Sequence, residues 1–220
     1  MTLDVEQKLT IHEIYKSIQG ESTFAGLPCS FVRLTFCDLR CSWCDTEYAF
    51  YDGVKKTFSE IMAEVKKLDC PLVELTGGEP LLQPGSLALM KLLCDEGYQV
   101  LLETGGHRDI SPVDSRVVRI MDLKCPDSGM SEKNRVENIP LLTRNDEVKC
   151  VIASRRDYEW ARGKVLSHDL CNKVRAVLFS AVFGKIQPRE IVDWILEDKL
   201  AVRFQLQMHK FIWDPKQKGV

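Results

Sequence analysis

An α/β fold with a largely parallel sheet is predicted by three features of the 220-residue sequence. Strand-like apolar runs alternate with helical patterns, the mark of successive βαβ units. A glycine turn punctuates the first of these units. No internal repeat, low-complexity tract or clear linker divides the chain, whose length suits a single domain over 1–220 with a substantial core.

The elements follow in order. A helix is expected over 57–68, because Thr57 and Glu60 have capping-box spacing and Ile61, Val65 and Leu68 then mark one apolar face. "PLVELTGGEP" (71–80) reads as a short strand ending in the glycine turn. The helix "LALMKLLCDEG" (87–97) comes next, with Gly97 as its stop signal. Strands are expected in "QVLLET", "RVVRIMDL" and "EVKCVIA", then a helix over 156–165 and the strand "VRAVLFSAV". Pro188 opens a helix in which Ile191, Trp194 and Ile195 form a stripe, and "AVRFQLQ" is the final strand. The polar segment 126–140 is the candidate for an irregular surface excursion. An α/β barrel and an open doubly wound sheet both fit this pattern; in either, a site lies at the C-terminal ends of the strands.

Composition narrows the function. With 45% hydrophobic and 28% charged residues and a net charge of −2, the chain has no basic field to attract nucleic acid. "GVKKTF" and "ASRRDY" read as local solvated faces. The start, "MTLDVEQKLT", has no signal-peptide pattern. No apolar run approaches the ~20 residues that span a bilayer, so a cytoplasmic protein is expected. Nine cysteines, an odd number, are expected there as thiols or metal ligands.

"FCDLRCSWCDTEYAF" (36–50) places Cys37, Cys41 and Cys44 at C-x3-C-x2-C spacing. Such short spacings let one loop wrap several thiolates around one inorganic centre. Structural zinc and ordinary four-iron clusters take four ligands. Cys70, Cys94, Cys125, Cys150 and Cys171 mostly sit in apolar or strand contexts, and the predicted strand of Cys29 leads away from the loop. Three thiolates on a four-iron cubane leave one iron open to a substrate or cofactor. Three buried cysteines, or a zinc knuckle completed from elsewhere, are the plainer alternatives.

The spacing, with aromatic Trp43 just before the last cysteine, resembles that of the radical S-adenosylmethionine (SAM) superfamily. Within it, "SIQGES" (17–22), "FVRLTFC" (31–37), "WCDT" (43–46), "LTGGEP" (75–80), "LLETGG" (101–106), "DLKCP" (122–126) and "QLQMHKFIW" (205–213) together resemble the 7-carboxy-7-deazaguanine synthases. The match runs through almost the whole chain; "LLETGG" departs from the "ETNG" of many relatives. The resemblance implies a modified, incomplete (β/α) barrel of the radical SAM type and a 4Fe-4S cluster on Cys37, Cys41 and Cys44. It implies SAM contacts from Trp43, Cys44, Asp45, Gly78, Glu103, Thr104, Asp122, Leu123, Lys124 and Ser180.

The implied substrate is 6-carboxy-5,6,7,8-tetrahydropterin, contracted to 7-carboxy-7-deazaguanine with loss of ammonia, for queuosine-type 7-deazapurine synthesis. Substrate contacts are implied for Ile18, Gln19, Gly20, Arg33, Thr76 and His209, and Mg2+ ligation for Thr46. Arg33 suits bidentate capture of a carboxylate. Mg2+ commonly keeps several waters and takes few protein ligands. The radical is supplied by SAM, so no side chain is required as an acid–base catalyst in the first step. A flavodoxin- or ferredoxin-type electron donor and a homodimer complete the implied partners.

Local alternatives stand beside these roles. A bare GGEP makes a tight strand-to-helix turn, Arg33 a strand-edge arginine, Thr46 a cap, and His209 a satisfied structural histidine. Two rival functions share the cysteine pattern, a glycyl-radical-enzyme activating protein and a non-catalytic zinc-binding module.

Overall fold

The computed structural model describes residues 6–220. The first five residues of the N-terminal stretch read for a signal peptide lie outside them. β1 (Lys8–Ile18) pairs antiparallel with β2 (Pro28–Leu34), and short β3 (Val54–Thr57) adds antiparallel to the other side of β1. From β2 the chain lays down parallel strands one after another. These are β4 (Leu72–Gly77), β5 (Gln99–Thr104), β6 (Val118–Asp122), β7 (Glu147–Ile152), β8 (Ala176–Ala181) and β9 (Arg203–Gln205).

The sheet order is β3-β1-β2-β4-β5-β6-β7-β8-β9. A doubly wound sheet reverses its strand order at a switch point. Here the parallel part never reverses, as in a barrel wall, and it is left open. The two faces differ accordingly. One packs Val32, Val73, Leu75, Leu102, Val148 and Phe179 against helices α1 (Phe58–Leu68), α2 (Gly85–Asp95), α3 (Arg155–Ser167), α4 (Leu170–Lys173) and α5 (Pro188–Glu197). The other gathers Phe24, Cys29, Phe31, Leu72, Leu101, Val118 and Ile120 into a separate apolar plug without helices.

Local chemistry sets the helix ends. The capping box of Thr57 and Glu60 forms as expected, with the Thr57 side chain accepting from Glu60 N. Ser154 caps α3 by accepting from Asp157 N, and Pro188 occupies the first turn of α5. Buried Tyr158 donates its hydroxyl to Trp194 O at 2.8 Å and ties α3 to α5. Gly97 takes φ +88° just beyond α2, as its role as a stop requires.

Several expectations change. α2 begins at Gly85, two residues before the predicted helix, and β9 keeps only three of the seven residues expected in the last strand. No α-helix connects β5 to β6 or β6 to β7. Three 3-10 turns fill segment 126–140 instead, as irregular as predicted but only partly on the surface: Ser128, Asn138 and Ile139 are buried. Asn138 Nδ2 donates to Gly106 O at 3.0 Å and Arg108 O at 2.7 Å, so an amide side chain replaces the missing helix as a spacer. Among the described residues no helix is long and apolar enough to cross a membrane.

Leu75 is fully buried in the helix-facing core. Leu75→Ala is expected to lower stability by about 3 kcal/mol, the usual size for a buried leucine truncation. Urea denaturation reads this as a lower midpoint at unchanged slope.

Candidate active site

A cleft of about 620 Å³ opens at the C-terminal ends of the parallel strands, above the apolar plug. Period-two alternation places Arg33 of β2, Glu74 and Thr76 of β4, Glu103 of β5, Asp122 of β6 and Lys149 of β7 along its wall. The cysteine loop, the loop after β1 and residues 215–220 border the rest.

Cys37, Cys41 and Cys44 are free, half-buried and all on the cleft. Burial raises each thiol, that of Cys44 to about 11; neighbouring cysteines add to the rise at Cys37 and Cys44, and Asp122 adds to it at Cys41. Such thiols become ligands only with a cation that favours the thiolate. None of the other six cysteines borders the cleft. The donor set therefore fits an iron–sulfur centre with three protein ligands.

The loop is held on both sides. Arg40 Nη1 donates to Cys37 O at 2.7 Å and to Leu39 O at 2.6 Å, while its guanidinium lies 4.3 Å from the Phe50 ring centre. Ser42 Oγ donates to Asp127 O at 2.7 Å, which places the irregular segment behind the loop. Gly77 and Gly78 let β4 meet it: a Cβ there would fall 2.1 Å from Leu34 O and 2.0 Å from Phe36 O respectively. Gly77 also has φ +136°. Backbone packing thus demands this glycine pair, and Gly78 borders the cleft as well.

Of the residues expected at SAM, Trp43, Asp45, Gly78, Glu103, Thr104, Asp122 and Lys124 reach the cleft along with Cys44, but Leu123 and Ser180 do not. Leu123 packs into the helix-side core because it follows cleft-facing Asp122 and so points to the opposite face, and its N–H donates to Lys149 O at 2.7 Å. Ser180 is fully buried on β8, with no partner for Oγ. Lys124 Nζ holds Asp122 Oδ2 at 2.6 Å and leaves buried Oδ1 without a partner, as a hydroxyl- or ammonium-bearing ligand requires. Thr104 donates to both Glu79 carboxylate oxygens, at 2.9 and 3.0 Å, and Gly105 N donates to Glu79 Oε2 at 2.8 Å. A Cβ at Gly105 would lie 3.0 Å from His107 Nδ1, so a larger residue there would press on that ring.

All the residues expected at the substrate border the cleft. β2 is an interior strand, which excludes a strand-edge role for Arg33. Its Nε donates to Glu13 Oε1 at 2.8 Å and Nη2 to the Tyr15 hydroxyl at 2.9 Å, which aims the remaining guanidinium hydrogens. Gly20 meets His209 so closely that a Cβ would lie 2.3 Å from Nδ1, and Met208 N donates to Gly20 O at 2.9 Å. "IQGE" and "QMHK", far apart in sequence, are one contact. His209 opens the short helix α6 (His209–Ile212). Thr46 precedes a 3-10 turn but makes no capping bond; its hydroxyl donates to Asp45 Oδ1 at 3.0 Å.

A model of the radical SAM superfamily matches residues 31–127. A 7-carboxy-7-deazaguanine synthase of Koribacter versatilis is 50% identical over 227 residues, covering 96% of this chain and 100% of that protein. One from Chlorobaculum tepidum is 47% identical over 221 residues, covering 99% and 100%. The chain belongs to the 7-carboxy-7-deazaguanine synthase family. The crystal structure of QueE from Escherichia coli is similar in fold, with TM-score 0.76 at 20% identity over 92% of this chain and 95% of that one. The incomplete barrel is thus a radical SAM fold, and membership brings the 4Fe-4S cluster and SAM as cofactors. It sets aside the activating-protein and zinc-module readings.

This 7-carboxy-7-deazaguanine synthase family member also carries cleft residues that sequence reasoning missed. Lys149 Nζ bridges Glu103 and, at 3.1 Å, Glu21, while Gln207 Nε2 donates to Glu21 Oε1 at 3.0 Å. Burial disfavours the ammonium, but these carboxylates hold the Lys149 pKa well above its ordinary value. Lys210 pairs with Asp45 at 2.7 Å; burial alone would raise the Asp45 carboxyl, yet this lysine holds it at about 2. Glu74 binds Gln19 Nε2. Burial, then the Glu103 charge, pushes Glu74 up to about 8. A charge in the middle of a strand as apolar as "LVELTG" or "EVKCVI" was the available signal.

Glu74 and Glu103, raised to about 8 and about 7, keep protons that the unfolded chain releases near pH ~4.3. Their contribution to stability is present below that pH and is lost as pH rises through 7 to 8. The melting temperature is expected to fall across this window, and Glu74→Gln to flatten the slope in a scan of melting temperature against pH.

Proposed function

We propose that this radical SAM enzyme is a lyase that contracts 6-carboxy-5,6,7,8-tetrahydropterin to 7-carboxy-7-deazaguanine and releases ammonia, in queuosine-type 7-deazapurine biosynthesis. The observation that carries the reading is near full-length identity to 7-carboxy-7-deazaguanine synthases, joined to a cleft with three cysteines. When bound, cluster and SAM supply one-electron cleavage and hydrogen abstraction, the chemistry that no side chain here can perform.

The chain's own residues bind, orient and exclude water. Cys37, Cys41 and Cys44 hold the cluster. Trp43, Gly78 and the Asp122–Lys124 pair bound the SAM end, where orphaned Asp122 Oδ1 is free to accept a hydrogen bond. Arg33, steadied by Glu13 and Tyr15, receives the substrate carboxylate. The Thr46 hydroxyl, beside Asp45, offers one oxygen to Mg2+ while substrate and water supply the rest. A flavodoxin- or ferredoxin-type protein delivers the electron, and the enzyme works as a homodimer of single-domain chains.

The test is an anaerobic reaction of the reconstituted protein with SAM, reductant, Mg2+ and substrate, analysed by mass spectrometry. 7-Carboxy-7-deazaguanine is expected from the wild type and lost in Cys41→Ala. SAM cleavage without that product would move the reading to another substrate, and no cleavage by a verified four-iron cluster would overturn it. Thr46→Val is expected to raise the Mg2+ concentration for half-maximal activity roughly tenfold, within the range for changes at metal sites. A magnesium titration of initial rates measures that shift.

A further inference from the structure

The cleft is polarised along its depth. In the β2–β4 register Arg33 lies beside Thr76, and Phe31 beside Glu74. Glu74 therefore sits two residues deeper than the arginine level, about 7 Å along the strand, next to Phe31 of the apolar plug. It is only 5% exposed, yet it borders the cleft.

Glu21, Glu74, Glu103 and Asp122 line this interior together with Lys124 and Lys149. Lys149 serves Glu21 and Glu103, and Lys124 serves Asp122. Among the described residues Glu74 has no ion-pair partner; its one side-chain bond is from Gln19 Nε2 to Oε2.. A buried carboxylate that lacks a cation is costly unless hydrogen-bond donors reach it. Burial raises the Glu74 carboxyl and marks the same need.

An arginine at one level and an unpaired carboxylate below it select a flat molecule with an acid at one end and adjacent N–H donors at the other. We propose that Glu74, steadied by Gln19, is a specificity-determining residue whose carboxylate accepts the ring N–H and the 2-amino group of the substrate's aminopyrimidinone edge. This inference rests on the substrate reading above. Gln19 supplies the donor that fixes one carboxylate oxygen, leaving the other for the ring.

The test is equilibrium binding of 6-carboxypterin and 6-carboxylumazine to the anaerobically reconstituted, SAM-loaded protein. The two differ at the 2-position, where an amino donor becomes an oxo acceptor. A site built to pair a donor rejects its absence strongly, so a wild-type preference for the pterin of at least ~100-fold is expected. Glu74→Gln should shrink it below about tenfold through lost pterin affinity, with SAM binding unchanged. An undiminished preference in Glu74→Gln, or no preference in a wild type that converts the substrate, overturns the assignment. A wild type that neither binds the pterin nor forms product removes the substrate reading itself, and this inference falls with it. If Glu74→Gln loses SAM binding, Glu74→Asp carries the test: pterin affinity equal to wild type overturns the role, and a drop of about tenfold upholds it.

Discussion

The ammonium of Lys149, buried between Glu21 and Glu103, is the interaction on which the cleft depends. A buried lysine stays charged only while its carboxylates stay in place. Glu103 is part of the barrel wall, whereas Glu21 lies in the loop after β1. The same ion pair that satisfies Lys149 therefore draws that loop inward. Other bonds follow from this placement: Ser22 N donates to Gln205 Oε1, Thr23 N to Glu147, and Met208 N to Gly20 O. Side chains and loop backbone, rather than a strand ladder, thus link the two ends of an open sheet.

Once the loop is seated, the cleft acquires two chemically distinct regions. Near the cysteine loop, half-buried thiols and glycine turns leave room for a cofactor beside backbone. Deeper in the barrel, charged side chains outnumber the partners available to them, so polar specificity is concentrated where water is scarce. The helix-free connections between β5, β6 and β7 support this layout, because segment 126–140 buttresses the cysteine loop through Asp127 and Ser128.

Much of this was legible in sequence, and the exceptions have physical causes. β5 matches "QVLLET" residue for residue, since a short apolar run without internal breaks has one interpretation. β1 is harder to read. A register shift between Ile11 and Glu13 moves its apolar side from Leu9 and Ile11 to Ile14, so the strand's period of two is broken by a step of three, the spacing of a helix. Leu123 and Ser180 show what a motif leaves open: a strand-end position does not decide whether a side chain borders the cleft, and here Leu123 packs into the helix-side core while Ser180 is buried on β8.

The clustering of Cys37, Cys41 and Cys44 was determined by the sequence alone, because three thiols within eight residues share a loop whatever the rest of the chain does. The alternation of elements likewise carried the α/β class. Tertiary structure decided between barrel and doubly wound sheet, since strand order is set by packing between distant segments and leaves no mark on local periodicity. It also decided the charge pattern of the cleft. Glu21, Glu74, Glu103 and Lys149 are scattered over 129 positions of sequence; only folding brings them close enough for one lysine to satisfy two carboxylates and leave the third without a cation.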